Sequence, residues 1–226
     1  MAGLALPYDV AVWFAAMARY NADWFPVPLA GVALALAVLG LVVRPPAGRE
    51  RLAARLIGLV LAAFALWVGA IHQLRLMATF DFMAPVYGWA WIAHGVAVAV
   101  LVAGVGRVRF ALRDRRDGLG VALALLAVVG APLAVTALGH DGRAAPLVGT
   151  APDPTALFTA GLALTARGPG RRALMVLPAA WAGVAALSAH LLAFTLDWAV
   201  ATALALAVVA ALTRRRGERQ AGPAQA

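Results

Sequence analysis

The stretch RVRFALRDRRDGLGVALALLAVVGAPLAVTAL, residues 107–138, decides the fold. Residues 107–117 hold five arginines, whereas residues 119–138 hold no charged side chain. A helix of about 20 apolar residues spans about 30 Å, the thickness of a bilayer's hydrocarbon core. Arginine-rich loops beside such runs are typical of the cytoplasmic ends of membrane helices. The stretch therefore predicts a helix that crosses a membrane.

The composition extends this prediction to the whole chain. Of its 226 residues, 64% are hydrophobic and 13% are charged, against about 45–50% and about 25% in soluble domains. There is no cysteine, which excludes disulfides, thiol nucleophiles and thiolate metal ligands. All 19 basic residues are arginine, so a lysine Schiff base is excluded too. The net charge of +9 is explained by membrane topology and anionic lipid, and no nucleic-acid partner is expected.

Seven apolar runs predict an all-α, polytopic transmembrane helix bundle. They cover residues 27–43, 56–74, 86–106, 119–138, 154–166, 173–192 and 196–213. Residues 1–25 are too polar to cross and are predicted to form an amphipathic helix in the membrane interface. Residues 26–213 then form the seven-helix domain, and residues 214–226 form a basic, disordered cytoplasmic tail.

The arginines set the predicted orientation. Sixteen of the 19 fall in alternate loops and in the tail, and the other three are Arg19, Arg75 and Arg143. Cytoplasmic loops carry the excess of basic residues, so the N-terminus is predicted outside and the C-terminus inside.

The candidate binding residues all fall toward the predicted outer side. Ionisable groups are costly within a membrane and tend to serve a function there. On the third predicted span, Tyr87, Trp91 and His94 have the spacing i, i+4, i+7, which puts them on one helix face. The predicted ligand-binding set is His72, Tyr87, Trp91, His94, His140, Asp141, Asp153, Thr155 and His190.

The outer loop GHDGRAAPLVGTAPDPT, residues 139–155, is the second feature of interest. Its prolines and glycines shape a lid or entrance over the bundle, with His140, Asp141 and Asp153 as candidate ligands. Asp153 before Pro154 is also typical of a helix N-cap, and the two interpretations are compatible. Only Asp197, at an outer edge, places a carboxylate in a predicted span, which argues against a buried carboxylate relay.

This loop and its flanks resemble a bacterial multi-pass membrane family of unknown function, whose members are sometimes labelled permeases. The similarity extends to the N-terminal segment with Tyr20, Asn21 and Trp24 and to the stretch around His72. The matching loop residues are Gly139, His140, Pro146, Gly149, Pro152, Pro154, Thr155, Phe158, Thr159, Gly161 and Leu162. The resemblance implies a fold and a membrane location without an activity.

The chain departs from that family's pattern at four positions. Gly142 and Arg143 stand where the pattern has Tyr-Pro, and Val148 stands where it has Phe. Asp153 replaces a cysteine, so only an oxygen ligand is left at that position.

Three functional hypotheses follow. The first is a non-enzymatic inner-membrane permease or ligand-binding module with an outward-facing His/Asp vestibule. The second is a membrane oxidoreductase or assembly factor that holds haem or a metal between two histidines. The third is a scaffold subunit. The sequence specifies no cofactor; the expected partners are the lipid bilayer, a small-molecule or metal ligand, and another membrane protein or a second copy of the chain.

Overall fold

The computed structural model describes residues 10–106, 108–192 and 195–220, which form eight α-helices and one short strand pair. The helices are α1 Val10–Asp23, α2 Val27–Val43, α3 Glu50–Trp67, α4 Ala84–Val98, α5 Arg115–Ala137, α6 Pro152–Thr165, α7 Arg171–Leu192 and α8 Thr195–Gln220. The strands β1 (Arg109–Phe110) and β2 (Ala166–Arg167) pair antiparallel.

Each of the seven predicted apolar runs coincides with a helix, but five helices are long and apolar enough to cross a membrane. These are Glu50–Thr79, Ala84–Gly104, Arg115–Ala137, Arg171–Leu191 and Leu196–Thr213. The pair α1 and α2 passes the same test only jointly, and it is bent by 84°. Seven spans and the orientation of the termini therefore stay predictions.

The short helix α6 lies at the centre of the bundle. It packs against α5, α7, α8 and α3, and all of its residues are buried except Asp153, which is half-buried. At 14 residues it is about 21 Å long, shorter than the roughly 30 Å hydrocarbon core. Because other helices surround it, α6 has almost no surface for contact with lipid.

Two glycines allow α5 and α6 to approach closely. A Cβ added to Gly120 would meet the carbonyl oxygen of Gly161, and one added to Gly161 would lie 2.8 Å from the backbone nitrogen of Ala124. Small residues at such crossings let the helix backbones touch. This contact fixes the central helix α6 against α5.

Two helices continue as π-helical segments. Residues Val68–Leu76 continue α3 and residues Ala99–Gly104 continue α4. Gly69 in the first π segment packs against Gly88 of α4, where an added Cβ would lie 2.7 Å from the Gly88 carbonyl oxygen. A π segment changes the direction of its side chains relative to a regular helix and often lies at a functional site. Here the first segment carries His72.

A paired ionic cluster closes the end of the bundle where α6 ends. The Arg167 guanidinium donates to both carboxylate oxygens of Asp117, at 2.9 and 2.7 Å, and to the Thr165 carbonyl oxygen at 3.2 Å. Asp117 also accepts from the backbone N–H groups of Arg113 and Asp114. Since Asp117 is fully buried, these bonds replace the water that its charge would otherwise need. We call this group the Asp117–Arg167 cluster.

Two boundaries differ from the sequence prediction. Asp153 is not an N-cap: α6 begins at Pro152, the N-cap is Ala151, and no side chain caps it. α8 continues to Gln220, beyond the predicted end at residue 213, and residues 221–226 lie outside the described residues.

Candidate functional site

A small polar cavity of about 70 Å³ lies at the other end of α6, where that helix begins. We call it the polar cavity. Its polar and aromatic lining residues are Trp13, His72, Gln73, Asp81, Tyr87, Asp153, Trp181, Ser188 and Asp197. They come from five α-helices, from the π segment after α3 and from the loop that follows it. Three of them, His72, Tyr87 and Asp153, belong to the predicted set.

His72 is the most unusual residue of the cavity. Its side chain is 2% exposed, and neither ring nitrogen has a hydrogen-bond partner among the described residues. The Tyr20 ring meets the imidazole edge-on, with centroids 5.6 Å apart. Buried polar atoms in native proteins are nearly always bonded, so an unpartnered imidazole that lines a cavity is a candidate ligand contact.

Asp153 reaches the same cavity from the first turn of α6. One carboxylate oxygen accepts a 2.6 Å hydrogen bond from the Trp181 indole N–H. Trp181 also packs edge-on against Tyr87 and Trp91, with centroid distances of 5.6 and 5.5 Å. The bond and the aromatic contacts fix the carboxylate at the cavity wall. Trp91, which was predicted to bind ligand, does not line the cavity, and its buried indole N–H has no hydrogen-bond partner in the described part of the chain.

Asp197 supplies a further carboxylate beside Asp81 and Asp153, and it is buried in the bundle although the sequence placed it only at the outer edge of a predicted span. Asp197 lies in α8 and is 9% exposed. It lines the polar cavity and, with Asp153 and Trp13, an adjoining cavity of about 190 Å³. That second cavity, the apolar cavity, is otherwise lined by apolar residues such as Leu126, Leu157 and Val200. Asp153 and Asp197 thus lie between the polar cavity and the apolar cavity.

Helix α1 covers the cavity and the loop that was predicted to be the lid. The Asn21 side-chain amide donates to the carbonyl oxygens of Arg143 and Ala145, at 2.8 and 2.9 Å. The Tyr20 hydroxyl donates to the Thr150 carbonyl oxygen at 3.0 Å and accepts from the Trp67 indole at 2.8 Å. The loop is therefore held under α1, which contributes Trp13 to both cavities.

The other predicted site residues are not brought to this cavity. His94 is 8% exposed and lines a groove between α4 and α7, and His190 is exposed on α7. The His140 ring stacks on Phe14, with centroids 3.8 Å apart. Thr155 is used within the chain, since its hydroxyl donates to the Ala151 carbonyl oxygen and accepts from the Gly149 N–H.

Asp141 is an exposed loop residue bonded to its neighbour. Its carboxylate accepts from the Arg143 backbone N–H at 2.9 Å and from the Arg143 guanidinium at 3.0 Å. The backbone hydrogen bond has the larger effect, and together with the guanidinium it holds the pKa of the Asp141 carboxyl below its usual range. Asp141 shapes the turn and has no contact with the polar cavity.

The four histidines lie in four different environments: the polar cavity, the α4–α7 groove, a stack on Phe14 and the exposed face of α7. Over residues 10–106, 108–192 and 195–220, no three histidine, aspartate or glutamate side chains are grouped so as to hold a metal ion. The polar cavity itself offers hydrogen-bonding groups, carboxylates and aromatic rings.

Several cavity residues were missed by reasoning from the sequence. They are Trp13, Gln73, Asp81, Trp181, Ser188 and Asp197, and Tyr20, whose ring meets His72, was missed as a neighbour of the cavity. Tyr20 carried a signal, because it belongs to the N-terminal segment of the family resemblance. Nothing in the sequence indicates that Trp181 and Asp197 lie near Asp153, because their position beside it depends on how α6, α7 and α8 pack.

The comparison with protein families matches residues 10–221, nearly the whole chain, to a family of unknown function, DUF6064. The chain belongs to DUF6064. The family description assigns no activity, which agrees with the resemblance seen in the sequence. Curated proteins and solved structures yielded no match for this DUF6064 member.

Proposed function

We propose that this DUF6064 member is a multi-pass protein of the bacterial inner membrane that binds a small organic cation in the polar cavity, as a permease or a ligand-binding module. The observation that carries the proposal is the pairing of Asp153 and Asp197 at one cavity, where the described residues place no arginine. Two carboxylates in an apolar interior repel each other, and a bound cation relieves that repulsion.

The remaining lining residues suit a protonated amine. Trp181 and Tyr87 present aromatic rings, which attract a desolvated cation by about 0.5–2 kcal/mol each. The free nitrogens of His72 offer an acceptor for an ammonium N–H. The adjoining apolar cavity of about 190 Å³ would take a hydrocarbon substituent of the same molecule. A short alkylammonium ion therefore matches both compartments.

The membrane arrangement that accompanies this proposal has seven spans. In it α2 and the six later helices cross, α1 lies in the outer interface, and α6 crosses within a sheath of other helices. The supporting observations are the match of helices to apolar runs and the arginines on alternate loops. With the N-terminus outside, the polar cavity opens toward the exterior under α1.

The test is titration of the detergent-purified protein with butylammonium, monitored by tryptophan fluorescence, beside butanol as the uncharged counterpart. Trp13 and Trp181 line the cavity and would report occupancy. We expect saturable binding of the amine alone, and a Kd at least tenfold higher for Asp197→Asn. Asp141→Asn, the same change on the exposed loop, should leave the Kd within twofold.

Equal binding of butanol, or an unchanged Kd in Asp197→Asn, would remove the proposal. If the wild-type protein does bind butylammonium, flux of the amine into proteoliposomes distinguishes a permease from a binding module.

A further inference from the structure

A second site lies at the opposite end of the bundle, outside the polar cavity. A groove of about 760 Å³ runs between α4 and α7, from Ala90 to Val105. One side of the groove is formed by Ala90 and Ala97 of α4, by Leu101 of the π segment that continues α4, and by Val105 at the end of that segment. At about 1.5 Å per residue those 15 steps cover about 22 Å, longer than one leaflet of a roughly 30 Å hydrocarbon core. The groove therefore has the length of an extended acyl chain.

The groove leads into a pocket of arginines. This arginine pocket has a volume of about 420 Å³ and is lined by Arg51, Arg55, Val105, Gly106, Arg109 and Pro169. Val105 and Pro169 line both the groove and the pocket, so the two are continuous. Arg172 lies at the same end of the groove.

The charge of the pocket is not neutralised by its own lining. Among the described residues no aspartate or glutamate lines either the groove or the pocket. Glu50, at the start of α3, accepts a 3.1 Å hydrogen bond from the backbone N–H of Gly48 and lines neither. Arg55 lies over Gly106, where an added Cβ would stand 3.1 Å from the Arg55 Nε.

We propose that the groove and the arginine pocket together bind one anionic phospholipid. The phosphate lies among Arg51, Arg55 and Arg109, and one acyl chain follows α4 along the groove. Guanidinium groups bind phosphate oxygens through paired hydrogen bonds. Basic pockets between membrane helices are the kind of site that selects anionic head groups. The single apolar groove distinguishes this site from general attraction of basic loops to a charged membrane.

The experiment measures lipid binding to the full-length, detergent-purified protein by native mass spectrometry, with phosphatidylglycerol, phosphatidylcholine and glycerol 3-phosphate as probes. We expect phosphatidylglycerol to bind at a stoichiometry of one and at least tenfold more tightly than phosphatidylcholine. Glycerol 3-phosphate, a phosphomonoester that carries at least the charge of the phosphatidylglycerol head group but no acyl chain, should bind at least tenfold more weakly than phosphatidylglycerol.

Two matched double variants separate the site from bulk charge. Arg55→Gln with Arg109→Gln should lower phosphatidylglycerol affinity at least tenfold. Arg115→Gln with Arg116→Gln removes the same charge from exposed positions at the start of α5, and should change the affinity less than threefold. Equal losses in both would overturn the proposal in favour of unspecific attraction.

Filling the groove tests the acyl chain. Ala97→Phe should lower phosphatidylglycerol affinity at least fivefold and leave glycerol 3-phosphate binding within twofold. If Ala97→Phe instead converts a dimer to a monomer, the groove is an interface between copies and the lipid proposal is wrong. If a variant fails to fold, the wild-type preference for phosphatidylglycerol over phosphatidylcholine still decides, because equal affinities contradict the site.

Discussion

The two ends of α6 carry buried polar groups that differ in how completely they are paired. At its C-terminal end, Asp117 accepts four hydrogen bonds from Arg167 and two backbone N–H groups. At its N-terminal end, the described residues give the ring nitrogens of His72 no hydrogen-bond partner, and they give Asp153 a single indole N–H. About 21 Å of helix separates the two ends.

This difference separates a structural cluster from the proposed binding site. Buried polar groups that stabilise a fold usually have all their hydrogen bonds formed, because a buried group without a hydrogen-bond partner costs about 1–3 kcal/mol. The Asp117–Arg167 cluster fits that description. The polar cavity retains hydrogen-bonding capacity that the described residues do not use, which is what a ligand requires.

The largest expected effect comes from breaking the paired end. Arg167→Met leaves the Asp117 carboxylate buried without its cation, so we expect a loss of about 3 kcal/mol in the free energy of unfolding. Denaturant unfolding of the detergent-solubilised protein, followed by circular dichroism, would measure it. Asp197→Asn, at the cavity end, serves as the control and should cost little, since it removes a charge from an apolar setting. Equal destabilisation by the two changes would contradict the distinction between the ends.

The contact that positions both ends gives the next largest effect. Gly120→Ala forces α5 away from the Gly161 carbonyl, and overpacking of this kind costs about 1–3 kcal/mol. Gly118→Ala is the matched control on the same helix, because nothing lies within 4 Å of its added Cβ. That control should be neutral or more stable, by up to about 1 kcal/mol.

Ligand binding extends the glycine comparison to function. Because α6 carries Asp153, a displaced α6 should also weaken binding at the polar cavity in Gly120→Ala and leave it unchanged in Gly118→Ala. Full stability together with wild-type binding in Gly120→Ala would show that the α5–α6 approach is not tight.

The helices of this fold were predictable because apolar runs are a local signal. The run at 27–43 coincides with α2, and the other six runs fall on helices as well. The role of α6 was not predictable from its own residues. Its 14 residues read as a short span, and only the packing of α5, α7 and α8 shows that it is enclosed by protein.

The site was predictable in part, and the failures have a physical cause. His72, Tyr87 and Asp153 were recognised as polar residues near the predicted outer surface, and the fold brings them together. His140 and His190 have the same sequence signal but face elsewhere, because position along a helix axis says nothing about direction around it. The Asp117–Arg167 pair spans 50 residues, so both members looked like ordinary loop charges.

The unpaired end should tolerate loss of its imidazole. His72→Leu removes two buried nitrogens that have no hydrogen-bond partner among the described residues, and it keeps an apolar group of similar size. We therefore expect the free energy of unfolding to stay the same or to rise by up to about 1 kcal/mol. Butylammonium affinity should fall in the same variant. A loss of stability well beyond that range, with binding intact, would make His72 a structural residue and remove the contrast between the ends.

The smallest expected effect on stability comes from Arg143 and Asp141, which form the same kind of ion pair as Arg167 and Asp117 but are exposed to solvent. Arg143 and Asp141 approach to 3.0 Å with side chains 86% and 52% exposed, whereas Arg167 and Asp117 approach to 2.7 Å with 20% and 0%. Solvent screens exposed pairs of this kind, and they contribute little to stability, so Arg143→Met should barely change the melting temperature.

The sign of the pH dependence of that exposed pair follows from its pKa. Since the folded protein holds the pKa of Asp141 below its usual range, the stabilisation is present above the unfolded pKa, about 3.9, and is lost as the pH falls through the folded value. Thermal unfolding of wild type and Asp141→Asn should therefore differ slightly at pH 7 and converge once the pH falls below the folded pKa of Asp141. If Arg143→Met destabilised the protein as much as Arg167→Met, then burial would not be what makes the Asp117–Arg167 cluster structural, and the incomplete pairing around His72 would lose its meaning as a mark of a binding site.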